Sequence, residues 1–198
     1  MTMRIFGDSI SGNCLKVKWV ADLLGLSYQW EEVDVLKSES RTPAFLAMNP
    51  AGQVPVVLLD DGRAIAQSNA IMLYLAERSA LIPTDPFARA KMLEWLFWEQ
   101  YSHEPYIAVA RFQVVYQHKP VSELEPRLVE RGNAALARLE LALREQPWLV
   151  GSGLTLADIS LVAYTRMARQ GGFDLDAWPS VLGWIRRVED ALTIGEVD

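Results

Sequence analysis

Residues 49–74 read NPAGQVPVVLLDDGRAIAQSNAIMLY, and their punctuation decides the fold. A turn at Gly52-Gln53 leads through Val54-Pro55 into the apolar run Val56-Val57-Leu58-Leu59. Asp60-Asp61-Gly62 then supplies hairpin chemistry, because glycine takes the positive φ such turns require. A second strand, Ala64 to Ala66, ends at Gln67-Ser68-Asn69, where short polar side chains suit a helix N-cap ahead of Ala70–Leu75. Pro55 constrains the first of these strands: it has no N–H for the ladder and belongs at a strand start or edge. Taken alone, its peptide bond reads as an ordinary trans bond.

Outward from this hairpin, the preceding residues form a strand–helix–strand unit. Arg4-Ile5-Phe6 is a short strand and residues 7–12 a polar loop. A helix follows, with Val17, Val20, Ala21 and Leu24 on one face, stopped by Gly25. Tyr28 to Val35 is a second strand, and Pro43 opens a short helix to Met48 from its tolerated first position. Parallel pairing across the helix, plus one hairpin, gives a four-stranded mixed sheet.

Beyond the hairpin helix, the two prolines of residues 80–86 mark a linker between an N-terminal domain, 1–79, and a second domain, 87–198, with no convincing strand. One long helix is predicted from Phe87 to about Gln117, apolar on several faces through Trp95, Leu96, Phe97, Trp98 and Tyr101. Pro105 should kink it by removing the hydrogen bond to the Tyr101 carbonyl. A second helix carries Leu128, Ala135, Leu136, Leu139, Ala142 and Leu143. Thr155 and Asp158 form a capping box for a third, with Leu154 and Ile159 placed as its staple. A fourth follows Trp178-Pro179.

The chain has 198 residues, of which 51% are hydrophobic and 22% charged. That suffices for a sizeable core. The sequence contains no run of membrane-spanning length and no signal peptide, so a soluble cytoplasmic protein is expected. A net charge of −6 speaks against a nucleic-acid partner. The single cysteine, Cys14, excludes an internal disulfide, and with only His103 and His118 beside it no metal cluster is expected. His103 reads as a polar helix residue.

At this point the sequence resembles the glutathione S-transferases. Ser11-Gly12-Asn13-Cys14-Leu15-Lys16-Val17, Asn49-Pro50-Ala51-Gly52-Gln53-Val54-Pro55, Gln67-Ser68-Asn69-Ala70-Ile71, Thr155–Asp158 and Trp178-Pro179 with Trp184 match the family's landmarks in order over nearly the whole length. Without a tyrosine in the first loop, the resemblance is to the bacterial, serine-type, cytosolic members. It implies a thioredoxin-like α/β N-terminal domain joined to an all-α C-terminal domain, and a cis bond at Pro55. A homodimer is expected from the aromatic surplus between Trp95 and Tyr101, which offers too many apolar faces for one core.

The resemblance also implies a site. Ser68, with Gln67, would hold the γ-glutamyl end of glutathione at a helix N-terminus, where N–H groups and the dipole favour an anion. The Val54 backbone beside Pro55 would pair with the cysteinyl residue as an added strand. Gln53 and Arg41 would serve the glycyl end. Ser11 would stabilise the thiolate, with Asn13 a second candidate donor and Ser9 nearby. Taken alone, Ser68, Ser11 and Asn13 read better as plain helix caps, and Arg41 as a solvated side chain. Cys14 stands two residues beyond the family's cysteine position and is expected to pack. Tyr106, Arg111 and Phe112 are candidate walls for a hydrophobic electrophile, or core. No cofactor is expected beyond glutathione as co-substrate. The implied activity is conjugation. A glutathione-dependent disulfide or peroxide reductase, and a non-catalytic binding module, are the alternatives.

Overall fold

A computed structural model describes residues 3–195 and 197. Contacts divide the chain into two units, Met1–Ala80 and Leu81–Asp198. The first contains β1 (Met3–Gly7), α1 (Gly12–Leu23), β2 (Tyr28–Glu32), α2 (Pro43–Met48), β3 (Val56–Leu58), β4 (Ala64–Ala66) and α3 (Ser68–Leu75). The sheet order is β2-β1-β3-β4. β1 runs parallel to β2, as a helical crossover allows, and antiparallel to β3, while β3 and β4 form the hairpin.

Local chemistry sets these limits. Gly62 turns the hairpin at φ 84°, and Leu59 and Arg63 close it with an N–H···O bond of 2.9 Å. β2 ends at Glu32, short of the predicted Val35. Its register with β1 runs out at Gly7, and the Asp34 carboxylate then accepts from the N–H groups of Leu36 and Lys37 to turn the chain. Thr42 caps α2 by accepting from Phe45, with Pro43 in the first helical turn. Ile5, Val17, Val20, Val57, Ile71 and Met72 are wholly buried. A second cluster joins Val33, Phe45 and Val56 to Phe6 and Val54, with Phe6 and Phe45 edge-on at 6.4 Å. Each such buried apolar side chain contributes about 1.5–3 kcal/mol.

The second unit, among its described residues, is helical throughout its regular elements: α4 (Pro86–Trp98), α5 (Glu104–Arg111), α6 (Pro126–Leu143), α7 (Leu156–Thr165) and α8 (Pro179–Leu192). Leu81 and Ile82, expected in a linker, are buried, and the Leu81 carbonyl accepts from Leu156 N–H at 3.1 Å. The helix predicted through residue 117 is interrupted by π-helical turns at Glu99–His103 and Phe112–Tyr116. The first lies immediately before Glu104-Pro105. Proline's missing N–H denies the Tyr101 carbonyl its usual partner, and the chain widens there. Burial along this segment is uneven. Trp95 and Leu96 are covered, whereas Phe97 is 73% and Tyr101 83% exposed.

α7 is buried along its whole length. Its predicted capping box is present, and Asp158 does more than cap. Its carboxylate accepts from Leu149 N–H, Thr155 N–H, the Thr155 hydroxyl and Trp184 Nε1, all at 2.9–3.0 Å. Burial pushes this carboxyl upward against the downward pull of those donors. His103, read from sequence as a polar helix residue, lies in the π-helical turn Glu99–His103. It is fully buried, with Nε2 2.9 Å from Thr165 Oγ1.

Candidate functional site

The first unit gathers polar groups at two helix starts and one turn. The loop from β1 to α1 is held from the end of β2: Glu32 accepts from Ser9 N–H at 2.8 Å and from Trp30 Nε1 at 2.7 Å. Trp30 packs where a Cβ on Gly7 would lie, 2.6 Å from its ring, so Gly7 admits no side chain. Partial desolvation opposes the charge on Glu32, but the donors from Trp30 and Ser9 outweigh it and hold its carboxyl below the usual range. Ser11 then takes the N-cap position of α1 in extended backbone. Its hydroxyl makes no cap hydrogen bond. Cys14 is fully buried and accepts from Asp8 N–H at 3.3 Å. Burial pushes its thiol up to about 12, so the cysteine carries essentially no thiolate at neutral pH.

α3 begins differently from the sequence reading. Its N-cap is Gln67, at φ 71°, a backbone conformation that non-glycine residues rarely adopt, and the Gln67 side chain is exposed. Ser68 is the first helical residue and is buried. Its hydroxyl donates to Asn13 Oδ1 at 2.9 Å and so ties the first turn of α3 to the first turn of α1. The same oxygen accepts from Lys16 Nζ at 2.8 Å, and Lys16 is fully buried. Lys16 escaped the sequence reading. Its only signal was the three-residue spacing from Asn13, which places both on one helix face.

The turn before β3 is built by Asn49, also unassigned from sequence. This buried amide donates to the Gln53 carbonyl at 2.8 Å and accepts from Ala51 N–H at 3.2 Å. Arg41 is exposed and donates to the Ala51 carbonyl at 3.1 Å. It lies against Gly52, which sits at φ 62°. Gln53 is exposed, Pro55 is buried, and the Val54–Pro55 bond is cis. Among the described residues the Val54 backbone N–H and carbonyl make no hydrogen bond.

In the second unit, the three candidate wall residues separate. Tyr106 lines a cavity of about 270 Å³ with Trp98, Tyr101 and three arginines, Arg127, Arg131 and Arg138. Arg111 is buried and donates to Gln170 Oε1 at 2.7 Å and to the Tyr116 hydroxyl at 3.1 Å. Phe112 is 41% exposed beside the Tyr116 ring. At 3.6 residues per turn, positions 106 and 111 point well apart on one helix. Among the described residues no three His, Cys, Asp or Glu side chains could hold a metal, and no helix is long and apolar enough to cross a membrane.

Comparison with known proteins accounts for both units. Residues 10–78 match the glutathione S-transferase N-terminal domain and residues 100–190 its C-terminal domain. A crystal structure of a glutathione S-transferase from Pseudomonas fluorescens Pf-5 is 46% identical. It superposes with a TM-score of 0.92, over 96% of this chain and 95% of that one. A maleylacetoacetate isomerase from Pseudomonas aeruginosa is 32% identical over 95% of this chain and 90% of its own length. The disulfide-bond oxidoreductase YfcG of Escherichia coli K12 is 28% identical over 86% of this chain and 83% of its own. With both domain types matched in order and the mixed sheet followed by an all-helical unit, this chain is an enzyme of the glutathione S-transferase family.

Proposed function

We propose that this protein is a cytoplasmic glutathione transferase that activates the thiol of glutathione and delivers it to an electrophilic small molecule. The observation that carries the reading is the Ser68–Asn13 hydrogen bond, which joins two helix starts rich in polar donors. Ser68, its N–H and Gln67 hold the γ-glutamyl end, where the α3 dipole favours a carboxylate. The Val54 backbone, unpaired among the described residues, takes the cysteinyl residue as a short antiparallel pair. Gln53 and Arg41, on the turn built by Asn49, serve the glycyl carboxylate.

The chemistry is a protonation problem. A free thiol near pKa 8.5 is only a few per cent thiolate at pH 7. Lowering that value by about 2 units takes roughly 2.7 kcal/mol of preferential stabilisation of the anion. A hydroxyl from Ser11, an amide donor from Asn13 and the α1 N-terminus supply it together. The Ser11 hydroxyl makes no cap bond and can turn about χ1 toward an incoming thiol. The thiol proton leaves to solvent, and the thiolate forms a C–S bond to an electrophilic carbon. An aryl halide then expels its leaving group as the halide anion. At an activated double bond the π bond breaks instead, and the adjacent carbanion takes a proton from solvent.

Two further readings use the same site. Glutathione-dependent isomerisation is favoured by the 32% identical isomerase from Pseudomonas aeruginosa. Glutathione-dependent disulfide or peroxide reduction is favoured by the likeness to YfcG. Reduction here would run through the thiol of glutathione, since burial keeps Cys14 protonated. Calorimetry with glutathione followed by an activity panel of aryl halides, cis-dienoic acids, disulfides and peroxides separates them. No binding at millimolar glutathione would overturn all three. We also propose a homodimer, supported by the exposed Phe87, Phe97 and Tyr101 on or just beyond α4. Sedimentation should give twice the chain mass, and Phe97→Asp should shift the population toward monomer. A wild-type monomer at micromolar concentration would refute it.

A further inference from the structure

We infer that Lys16 is a positioning residue that decides which end of the Asn13 amide is offered to the bound thiol. The inference rests on the glutathione site proposed above and goes beyond it. Asn13 Oδ1 accepts from Lys16 Nζ at 2.8 Å and from Ser68 Oγ at 2.9 Å. The two partners are not equivalent. A serine hydroxyl donates or accepts, so Ser68 would satisfy either end of the amide. An ammonium has three donors and no acceptor, so only the amide oxygen can face Lys16. The lysine therefore selects one of two near-isosteric orientations, and the Nδ2 donors turn away from both partners.

That choice has a chemical consequence. A thiolate is stabilised by donors and repelled by a carbonyl oxygen. With the oxygen committed to Lys16, Asn13 can present only N–H to an anion near the start of α1. Without Lys16, the amide can flip against Ser68 and present its oxygen instead. The burial of Lys16, at 0% exposure, keeps the ammonium from swinging into solvent and so keeps the selection in force.

The test is the pH titration of the thiolate absorbance of enzyme-bound glutathione, with turnover of an aryl halide measured alongside. Lys16→Met should raise the bound thiol's pKa by about one unit, a roughly tenfold loss of thiolate below it. Lys16→Arg, which also only donates, should restore most of it. Asn13→Ala should match Lys16→Met, and the double variant should be no worse than either, the outcome expected when the lysine's effect on the thiol passes through the asparagine. If Lys16→Met does not fold, Lys16→Gln replaces it, since a glutamine accommodates both orientations of the Asn13 amide. The inference is overturned if wild type depresses the bound thiol's pKa and the lysine variant leaves it unchanged, or if the two single effects multiply. If wild type binds no glutathione, or binds it without depressing the thiol, the parent reading of the site fails and this inference with it.

Discussion

Ser68 and Asn13 stand 55 residues apart in sequence, yet the Ser68 hydroxyl donates to the Asn13 amide oxygen across 2.9 Å. The bond closes a small polar cluster at the start of two helices, where the helix dipoles concentrate positive potential. Helix starts are common and most bind nothing. Two of them linked through side chains, with a buried lysine on the same oxygen, form an arrangement whose ligand is expected to be anionic.

Ser68→Ala should weaken glutathione binding by roughly 1–2 kcal/mol, the scale of one hydrogen bond to a charged group. Calorimetry checks it directly. Because Ser68 also bonds Asn13, the variant should show a small rise in the bound thiol's pKa as well. Unchanged affinity would move the carboxylate away from α3.

Ser11→Ala should lower turnover at neutral pH by about 10- to 100-fold, as expected for one lost donor to a developing anion, while affinity for glutathione changes little. Cys14→Ala should keep activity within a few-fold and cost on the order of 1 kcal/mol in stability. In the native protein Cys14 should resist alkylation at pH 8, since burial pushes its thiol up to about 12. Loss of turnover in Cys14→Ala with full activity in Ser11→Ala would reverse the assignment.

Glu32 links the loop carrying Ser11 to pH. Its carboxyl titrates below the usual value of 4.5 because Trp30 and Ser9 donors outweigh partial desolvation. A depressed folded value means the contribution is present above about pH 4.5 and lost as pH falls through the folded value. Activity should therefore fall on acidification below that point more steeply than protonation of the bound thiolate alone requires. Glu32→Gln should remove this Glu32-dependent part of the acid limb and raise hydrogen exchange at Ser9 at pH values where the wild-type carboxyl is ionised, the two proteins converging at lower pH. An identical acid profile in the variant would exclude the link.

Asp158→Ala should be the most damaging single change in the helical unit. It would leave buried donors on Leu149, Thr155 and Trp184 without their acceptor. With about 1–3 kcal/mol for each orphaned group, and incomplete additivity, a loss of at least about 3 kcal/mol is expected in urea unfolding. A change below 1 kcal/mol would mean that water replaces the carboxylate.

The order of elements, the hairpin, the capping box and the two-part architecture were legible in sequence because each is written in local chemistry. Gly62 can turn, Pro43 can start a helix, and Thr155 with Asp158 can cap one, wherever they stand. The candidate site was legible only as a set of motif residues, of which Ser68, Ser11 and Asn13 taken alone read as plain caps. Tertiary structure alone decided that Ser68 lies inside α3 and bonds Asn13, that Lys16 and His103 are buried, and that Asn49 builds the turn before Pro55. It also separated Tyr106, Arg111 and Phe112 into a cavity lining, a buried tie and a half-open ring. The reason is physical. Caps and turns are satisfied within a few residues of chain, whereas a buried charge or amide is tolerated only where distant segments bring it a partner.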